Sequence, residues 1–85
     1  MAIRITIETA SKAEAELIGD RLPVEVRAES WRGLGVIRLA ARDRDETNQL
    51  IDCVSRSCHE HELQWARVRY DDEERVFKAN GRKVG

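Results

Sequence analysis

The sequence has no long apolar run and no large net charge, and it is poor in cysteine, proline and aromatic residues. No segment approaches the ~20 apolar residues of a membrane-spanning helix, and the opening MAIRITIETA lacks the apolar core of a signal peptide. The 15 basic and 16 acidic residues nearly cancel, so no net field draws the chain to nucleic acid or an anionic membrane. These absences predict a cytoplasmic protein that does not bind membranes.

The composition that remains is typical of one small globular domain. The 85 residues are 41% hydrophobic and 36% charged, which is too apolar for a disordered chain and too charged for a bilayer. We therefore predict a single domain over residues 1–85. Cys53 and Cys58 lie five positions apart, and two cysteines without a signal sequence are typical of reduced thiols rather than a disulfide.

The first segment of the chain has the pattern of a strand followed by a helix. Residues 3–8 alternate isoleucine with polar side chains, as in a strand with one buried face. Ser11 and Glu14 have the spacing of a capping box, which predicts that a helix begins here. Pro23 cannot continue a helix, so the helix is expected to end before it.

The rest of the chain has the pattern of a hairpin, a second helix and a further strand. Residues 24–29 and 36–41 alternate again, and the glycine-containing segment 30–35 between them predicts the turn of a hairpin. Residues 43–61 begin with a second capping box and carry apolar residues at helical spacing. Residues 66–70 alternate once more, with Ala, Val and Tyr on one side and two arginines on the other.

The element order β-α-β-β-α-β predicts a fold of the α+β class. Two βαβ halves around a central hairpin give a ferredoxin-like sandwich, in which a four-stranded antiparallel sheet carries both helices on one face. The other face of the sheet is then open. Residues 75–85 are expected to add a strand or a hairpin, with Asn80-Gly81 as its turn, or to form a flexible tail.

The run SCHEHE near the end of the second helix raises the question of a metal site. At about 100° per residue, Cys58 falls within the apolar stripe and His61 at its edge, whereas His59 and Glu60 point to the opposite side. Cys53 lies off the stripe. Because a zinc site needs about four converging ligands, we predict a buried thiol, two histidines at the helix end and no metal.

Catalytic and nucleotide-binding motifs are missing from the sequence. It contains no Gly-x-Ser-x-Gly, no P-loop and no Gly-x-Gly-x-x-Gly after a strand, and the glycines of residues 33–35 are too few to count. The acidic segment 71–74 lacks the spacing of a calcium-binding loop, which favours a solvated turn. We therefore expect neither enzymatic activity nor a cofactor.

The open face of the predicted sheet is rich in arginine, which supplies twelve of the fifteen basic residues. Its outward residues are Arg4, Thr6, Arg27, Arg38, Trp65, Arg67 and Arg69. The planar guanidinium group suits phosphate binding and stacking on bases. Glu8, Glu25 and Glu29 share this face and are able to pair with the arginines across strands.

Two classes of function are consistent with this face. The first is a small binding or regulatory module that acts through protein contacts, as a homodimer or with another protein, because a half-exposed sheet in so small a domain gains stability when it is covered. The second is a nucleic-acid-binding domain. RNA-binding sheets of this topology carry aromatic residues on their two central strands, where this chain has Thr6 and Arg38, so protein binding is the preferred hypothesis.

The candidate binding residues are the same under both hypotheses. They are Arg4, Arg38, Trp65, Arg67 and Arg69. Trp65 is expected to be the single outward aromatic residue of the four strands. Trp31, in the predicted hairpin turn, is expected to fold back onto the edge of the core.

Overall fold

The computed structural model describes residues 2–78, which form five strands and two helices. In chain order these are β1 (Ile3–Thr9), α1 (Lys12–Arg21), β2 (Ala28–Trp31), β3 (Leu34–Ala41), α2 (Arg44–Glu60), β4 (Ala66–Tyr70) and β5 (Glu73–Phe77). The strands make one antiparallel sheet in the order β2-β3-β1-β4-β5. An α+β domain with an antiparallel sheet and two helices is confirmed, and the sheet has five strands rather than four.

Both helices begin where the capping boxes predicted. The Ser11 hydroxyl accepts a hydrogen bond from the Glu14 backbone N–H at 3.3 Å, and the Asp43 carboxylate accepts one from the Glu46 N–H at 2.9 Å. The Glu46 carboxylate in turn accepts from the Arg42 N–H at 2.6 Å. The bonds from Glu14 and Glu46 satisfy backbone N–H groups that the first helical turns leave without partners, and the Arg42 bond fixes the chain just before α2.

Helix α2 ends in a Schellman motif without glycine. The Leu63 N–H donates to the Cys58 carbonyl at 3.0 Å, and the Glu62 N–H donates to the His59 carbonyl at 3.3 Å. Glu62 adopts φ 52°, the left-handed conformation that this motif usually assigns to glycine. Leu63 is buried behind the motif and anchors the chain as it turns toward β4.

The core lies between the two helices and one face of the sheet. Its largest fully buried hydrophobic side chains are Ile5, Ile7, Ile18, Ile37, Leu50, Val54 and Val68. The inward sets predicted for β1 and β4 are confirmed, because Ile5, Ile7, Ala66, Val68 and Tyr70 are all buried in the same cluster. Of the described helices, none is long and apolar enough to cross a membrane.

Gly35 allows the start of α1 to pack closely on the sheet. A Cβ atom at this position would lie 2.5 Å from Thr9 Oγ1 and 2.7 Å from Ala15 Cβ, and it would also overlap the Ser11 carbonyl oxygen. Only glycine fits a strand at such a close approach. Gly35, which the sequence placed in the hairpin turn, therefore lies in β3 and allows α1 to pack closely on the sheet.

The hairpin between β2 and β3 differs from the prediction in its position. Strand β2 begins at Ala28, not at Val24, because the chain leaves α1 in the helical layer and uses residues 22–27 to return to the sheet edge. The turn consists of Arg32 and Gly33, with φ values of 54° and 83°. Arg27, predicted on the open face, therefore lies outside the sheet.

The last described strand, β5, extends the sheet beyond β4. Asp71 and Asp72 form a tight turn, and Tyr70 pairs with Glu73 directly after it. The acidic segment thus contributes both the turn and the first residues of an edge strand. The predicted Asn80-Gly81 turn and the rest of the tail after Lys78 lie outside the described residues.

Candidate protein-interaction surface

The face of the sheet opposite the helices, called the open face below, is crossed by two rows of side chains. From β2 to β5, the first row contains Glu29, Val36, Glu8, Arg67 and Val76. From β3 to β5, the second row contains Arg38, Thr6, Arg69 and Glu74. Side chains directly opposite on neighbouring antiparallel strands are close enough to interact, so these rows define the chemistry of the face.

Glu8 is the centre of a charge cluster on this face. Its carboxylate accepts a hydrogen bond from Arg67 Nε at 2.8 Å and forms ion pairs with Arg67 Nη2 at 2.6 Å and Arg69 Nη2 at 3.0 Å. The Glu8 side chain is only 7% exposed, whereas those of Arg67 and Arg69 are 34% and 51% exposed. Two of the five candidate arginine and tryptophan residues are therefore already bound to a nearly buried carboxylate.

The remaining arginines of the candidate set differ in their partners. Arg38 pairs with Glu29 at 3.1 Å, and both side chains are largely exposed. Arg4 is exposed on β1, and no carboxylate within residues 2–78 lies in ion-pair distance of it. The cross-strand pairing anticipated for Glu8 and Glu29 is present, while Glu25 lies outside the sheet in the segment before β2.

Trp31 does not lie where the sequence predicted, and Trp65 lies immediately before β4 rather than within it. Trp31 is 52% exposed at the end of β2 and shares the open face with Glu29, so the expectation that it folds back onto the core is wrong. Arg32 lies over its ring at 4.9 Å. Trp65 is half-buried immediately before β4, and Arg67 lies over its ring at 5.7 Å. Because Trp31 also lies on the open face, Trp65 is not the single outward aromatic residue.

Apolar side chains on the open face were also missed by sequence reasoning. Val36 is buried in the first row between Glu8 and Glu29, and Val76 is 50% exposed at the β5 edge. Both positions follow from strand register: Val36 lies opposite Glu8, and Val76 lies opposite Arg67. The predicted alternation of residues 36–41, with Ile37 and Leu39 inward, already implies that Val36 faces outward, and an alternation extended back by two residues would have included Leu34.

The SCHEHE run divides between the core and solvent, as its helical spacing predicted. Cys58 is fully buried, and its Sγ donates to the Phe77 carbonyl at 3.6 Å, while His59 and His61 are exposed. Glu60 pairs with Arg21 of α1 at 2.7 Å. Among the residues that the structure describes, no three His, Cys, Asp or Glu side chains converge on a common point.

Cys53 is separate from this run in the fold as well as in the sequence. It is half-buried, packs beside the core and lines a small surface cavity with Arg21 and Arg56. Neither Cys53 nor Cys58 forms a disulfide. A larger, open surface depression lies between α1 and residues 22–28, and half of the residues that line it are charged.

Comparison of the chain with protein-family models, with curated proteins and with solved structures gives no match. The function must therefore be argued from the residues themselves. The open face offers internally paired charges at its centre and exposed apolar groups toward its edges.

Proposed function

We propose that this protein is a small, non-enzymatic binding module that acts through protein contacts and forms a homodimer. The observation that carries the proposal is the pairing of charges within the open face. Glu8 neutralises Arg67 and Arg69, and Glu29 pairs with Arg38. A face with so little free positive charge is poorly suited to a polyanion and better suited to another protein surface.

A nucleic acid and a protein would gain different contacts on the open face. Phosphate groups bind tightly when free cations release counterions, but Arg67 and Arg69 would first have to leave the Glu8 carboxylate, which is 7% exposed. A protein partner would instead gain by covering an exposed apolar side chain, either Val76 at the β5 edge or Trp31 at the β2 edge, both of which are about half exposed. Exposed aromatic residues at the centre of protein interfaces commonly act as binding anchors.

The strand order and the cysteines support a fold family and a cellular compartment. The order β2-β3-β1-β4 of the first four strands, with α1 and α2 as the connections, supports a ferredoxin-like arrangement to which β5 is added. Two cysteines that form no disulfide support a reducing compartment such as the cytoplasm.

The oligomeric state tests the proposal directly. Size-exclusion chromatography with light scattering, over a hundredfold range of protein concentration, should show a dimer that dissociates on dilution. Val76→Ala should shift the equilibrium toward monomer, because it removes an exposed apolar side chain from the open face at the β5 edge. Leu17→Ala is the matched control, since Leu17 is 37% exposed on α1 in the opposite layer.

A chain that remains monomeric at the highest concentration, and that captures no protein partner, would refute the proposal. Equal effects of the two alanine substitutions would also refute the assignment of the contact to the open face. Circular dichroism of each variant separates a loss of contact from a loss of fold.

Nucleic-acid binding is the alternative, and one observation favours it. Arg4 has no carboxylate partner within residues 2–78 and lies two positions from Thr6, between the strands that carry Arg38 and Arg69. In a Trp31→Phe background, a single-stranded oligonucleotide at low salt should change the Trp65 emission if this alternative is correct. Unchanged emission beside a concentration-dependent dimer would exclude it.

A further inference from the structure

We propose that two copies of the chain join through the outer edges of β5, antiparallel to each other, with a two-fold axis at Val76. The two five-stranded sheets then form one continuous sheet. This inference rests on the homodimer proposed above, and it adds the partner, the contact and the register. Primed numbers below denote the second copy.

The outer edge of β5 is available for pairing. It is the last strand of the sheet order, and within residues 2–78 no strand pairs with its outer side. Such an edge presents unpaired N–H and C=O groups that act as a template for another strand. Four of its five residues are exposed, and the fifth, Phe77, is half-buried.

The hairpin determines which backbone groups of β5 point outward. Tyr70 and Glu73 flank a two-residue turn, and the pair that closes such a turn exchanges backbone hydrogen bonds. Hydrogen-bonded and non-hydrogen-bonded pairs alternate along an antiparallel ladder. The N–H and C=O groups of Glu74, Val76 and Lys78 therefore point away from β4, toward a second copy.

The charges of β5 disfavour several of the two-fold arrangements and favour an axis at Val76. An axis at Glu74 would place Glu74 opposite Glu74′, and an axis at Arg75 would place Arg75 opposite Arg75′. Like charges directly opposite on neighbouring strands are destabilising. An axis at Val76 places Val76 opposite Val76′ and Glu74 opposite Lys78′, so that the like-charge pairs are replaced by two symmetric opposite-charge pairs.

The same register also matches the backbone. Val76 with Val76′, and Glu74 with Lys78′ in both copies, are all residues whose backbone groups point outward, so the two edges can exchange hydrogen bonds along five residues. On the helical side of the sheet, Arg75 lies opposite Phe77′. Val76, which is 50% exposed in the single chain, becomes covered at the axis.

The other edge of the sheet is less suitable for self-pairing. Strand β2 has only four residues, and it ends at Trp31, because the next residue, Arg32, has a φ of 54° and belongs to the hairpin turn. On its other side, the chain leaves the sheet at residues 22–27. Pairing at β2 would therefore be shorter than pairing at β5.

Cysteine cross-linking tests the register. In a Cys53→Ser background, Val76→Cys should form a disulfide-linked dimer under oxidised glutathione, because hydrogen-bonded pairs have Cα atoms about 5.5 Å apart, within disulfide range. Glu74→Cys is the matched control. In the proposed register, the Glu74→Cys residues of the two chains are offset by four residues, about 13 Å along the strand, which is too far for a disulfide.

Charge exchange provides a second, independent measurement. Lys78→Glu or Glu74→Lys should each weaken dimerisation about tenfold or more, because each change creates two like-charge pairs. The double variant Glu74→Lys/Lys78→Glu should restore the dimer. Lys12→Glu on α1, which makes the same change in net charge away from the sheet, should leave the dissociation constant unchanged.

The outcomes separate this inference from the homodimer proposal. Cross-linking at Val76 but not at Glu74, with rescue by the double variant, supports the β5 contact. A dimer that cross-links at Glu74 instead, or at neither position, overturns the β5 contact or its register but leaves the homodimer in place. A strict monomer overturns both the β5 contact and the homodimer. If the Val76 amide of that monomer also exchanges slowly with solvent, the chain's own tail, rather than a second copy, covers β5.

Discussion

Replacement of Glu8 by glutamine should destabilise the fold far more than the same change at Glu29. Both carboxylates lie on the open face and both pair with arginine, but Glu8 is 7% exposed and Glu29 is 57% exposed. The amide of Glu8→Gln keeps one oxygen acceptor and replaces the other with an NH₂ donor. That donor would face the guanidinium group of Arg67 or Arg69, which has no acceptor to offer.

The size of the effect follows from the contacts that are lost. Glu8 accepts from Arg67 at 2.6 and 2.8 Å and from Arg69 at 3.0 Å. Hydrogen bonds to charged groups contribute about 1.5–3 kcal/mol each, but water reaches the partly exposed arginines and offsets part of the loss. We expect Glu8→Gln to lower the free energy of unfolding by about 1–3 kcal/mol and Glu29→Gln by about 0–1 kcal/mol.

Denaturant unfolding followed by circular dichroism measures both values. For a domain of this size, the expected loss at Glu8 corresponds to a fall in Tm of about 5–20 °C. Measurements at a protein concentration below the dimer dissociation constant keep association out of the comparison. Equal effects of the two glutamine variants, within 0.5 kcal/mol, would refute the view that the Glu8 cluster is a buried structural element.

Two further predictions concern glycine and the left-handed conformation. Gly35→Ala should destabilise the fold by about 3 kcal/mol or more, because its Cβ would collide with Thr9 and Ala15; Gly33→Ala, with open space around it but φ 83°, should cost only about 1–2 kcal/mol. Equal losses in thermal unfolding would contradict this. Glu62→Gly should stabilise the protein by about 0.5–1 kcal/mol, because glycine adopts the required φ of 52° without strain. A lower Tm for that variant would show that the Glu62 side chain contributes more than its backbone conformation costs.

The helices and the central strand could be predicted from the sequence because their signals are local. Ser11 and Asp43 bond to backbone groups three residues away, so the capping pattern and the structure involve the same short segment. The alternation of residues 3–8 likewise reports directly which side of β1 is buried. Cys58 was correctly placed in the core for the same reason, since helical spacing alone determines its direction.

The hairpin and the tryptophans could not be placed in this way, because they depend on pairing between distant residues. Residues 24–27 alternate as well as any strand, yet β2 begins only at Ala28, where β3 provides a partner. Trp31 lies in β2 opposite Leu34 rather than in the turn, and this register places it on the open face. Only a prediction that confined the turn to Arg32 and Gly33 would have placed Trp31 in the strand.

The burial of Glu8 was likewise beyond local reasoning, and it affects the choice between partners. A glutamate in an alternating strand is normally read as solvated, but the register of β4 places two arginines beside this one. The cluster stabilises the sheet only while both arginines remain bound to it. The same two guanidinium groups would therefore be needed both for the stability of the sheet and for polyanion binding. A protein partner at Trp31 or Val76 would leave the cluster intact, whereas a phosphate group at Arg67 and Arg69 would compete with Glu8 for the same guanidinium groups.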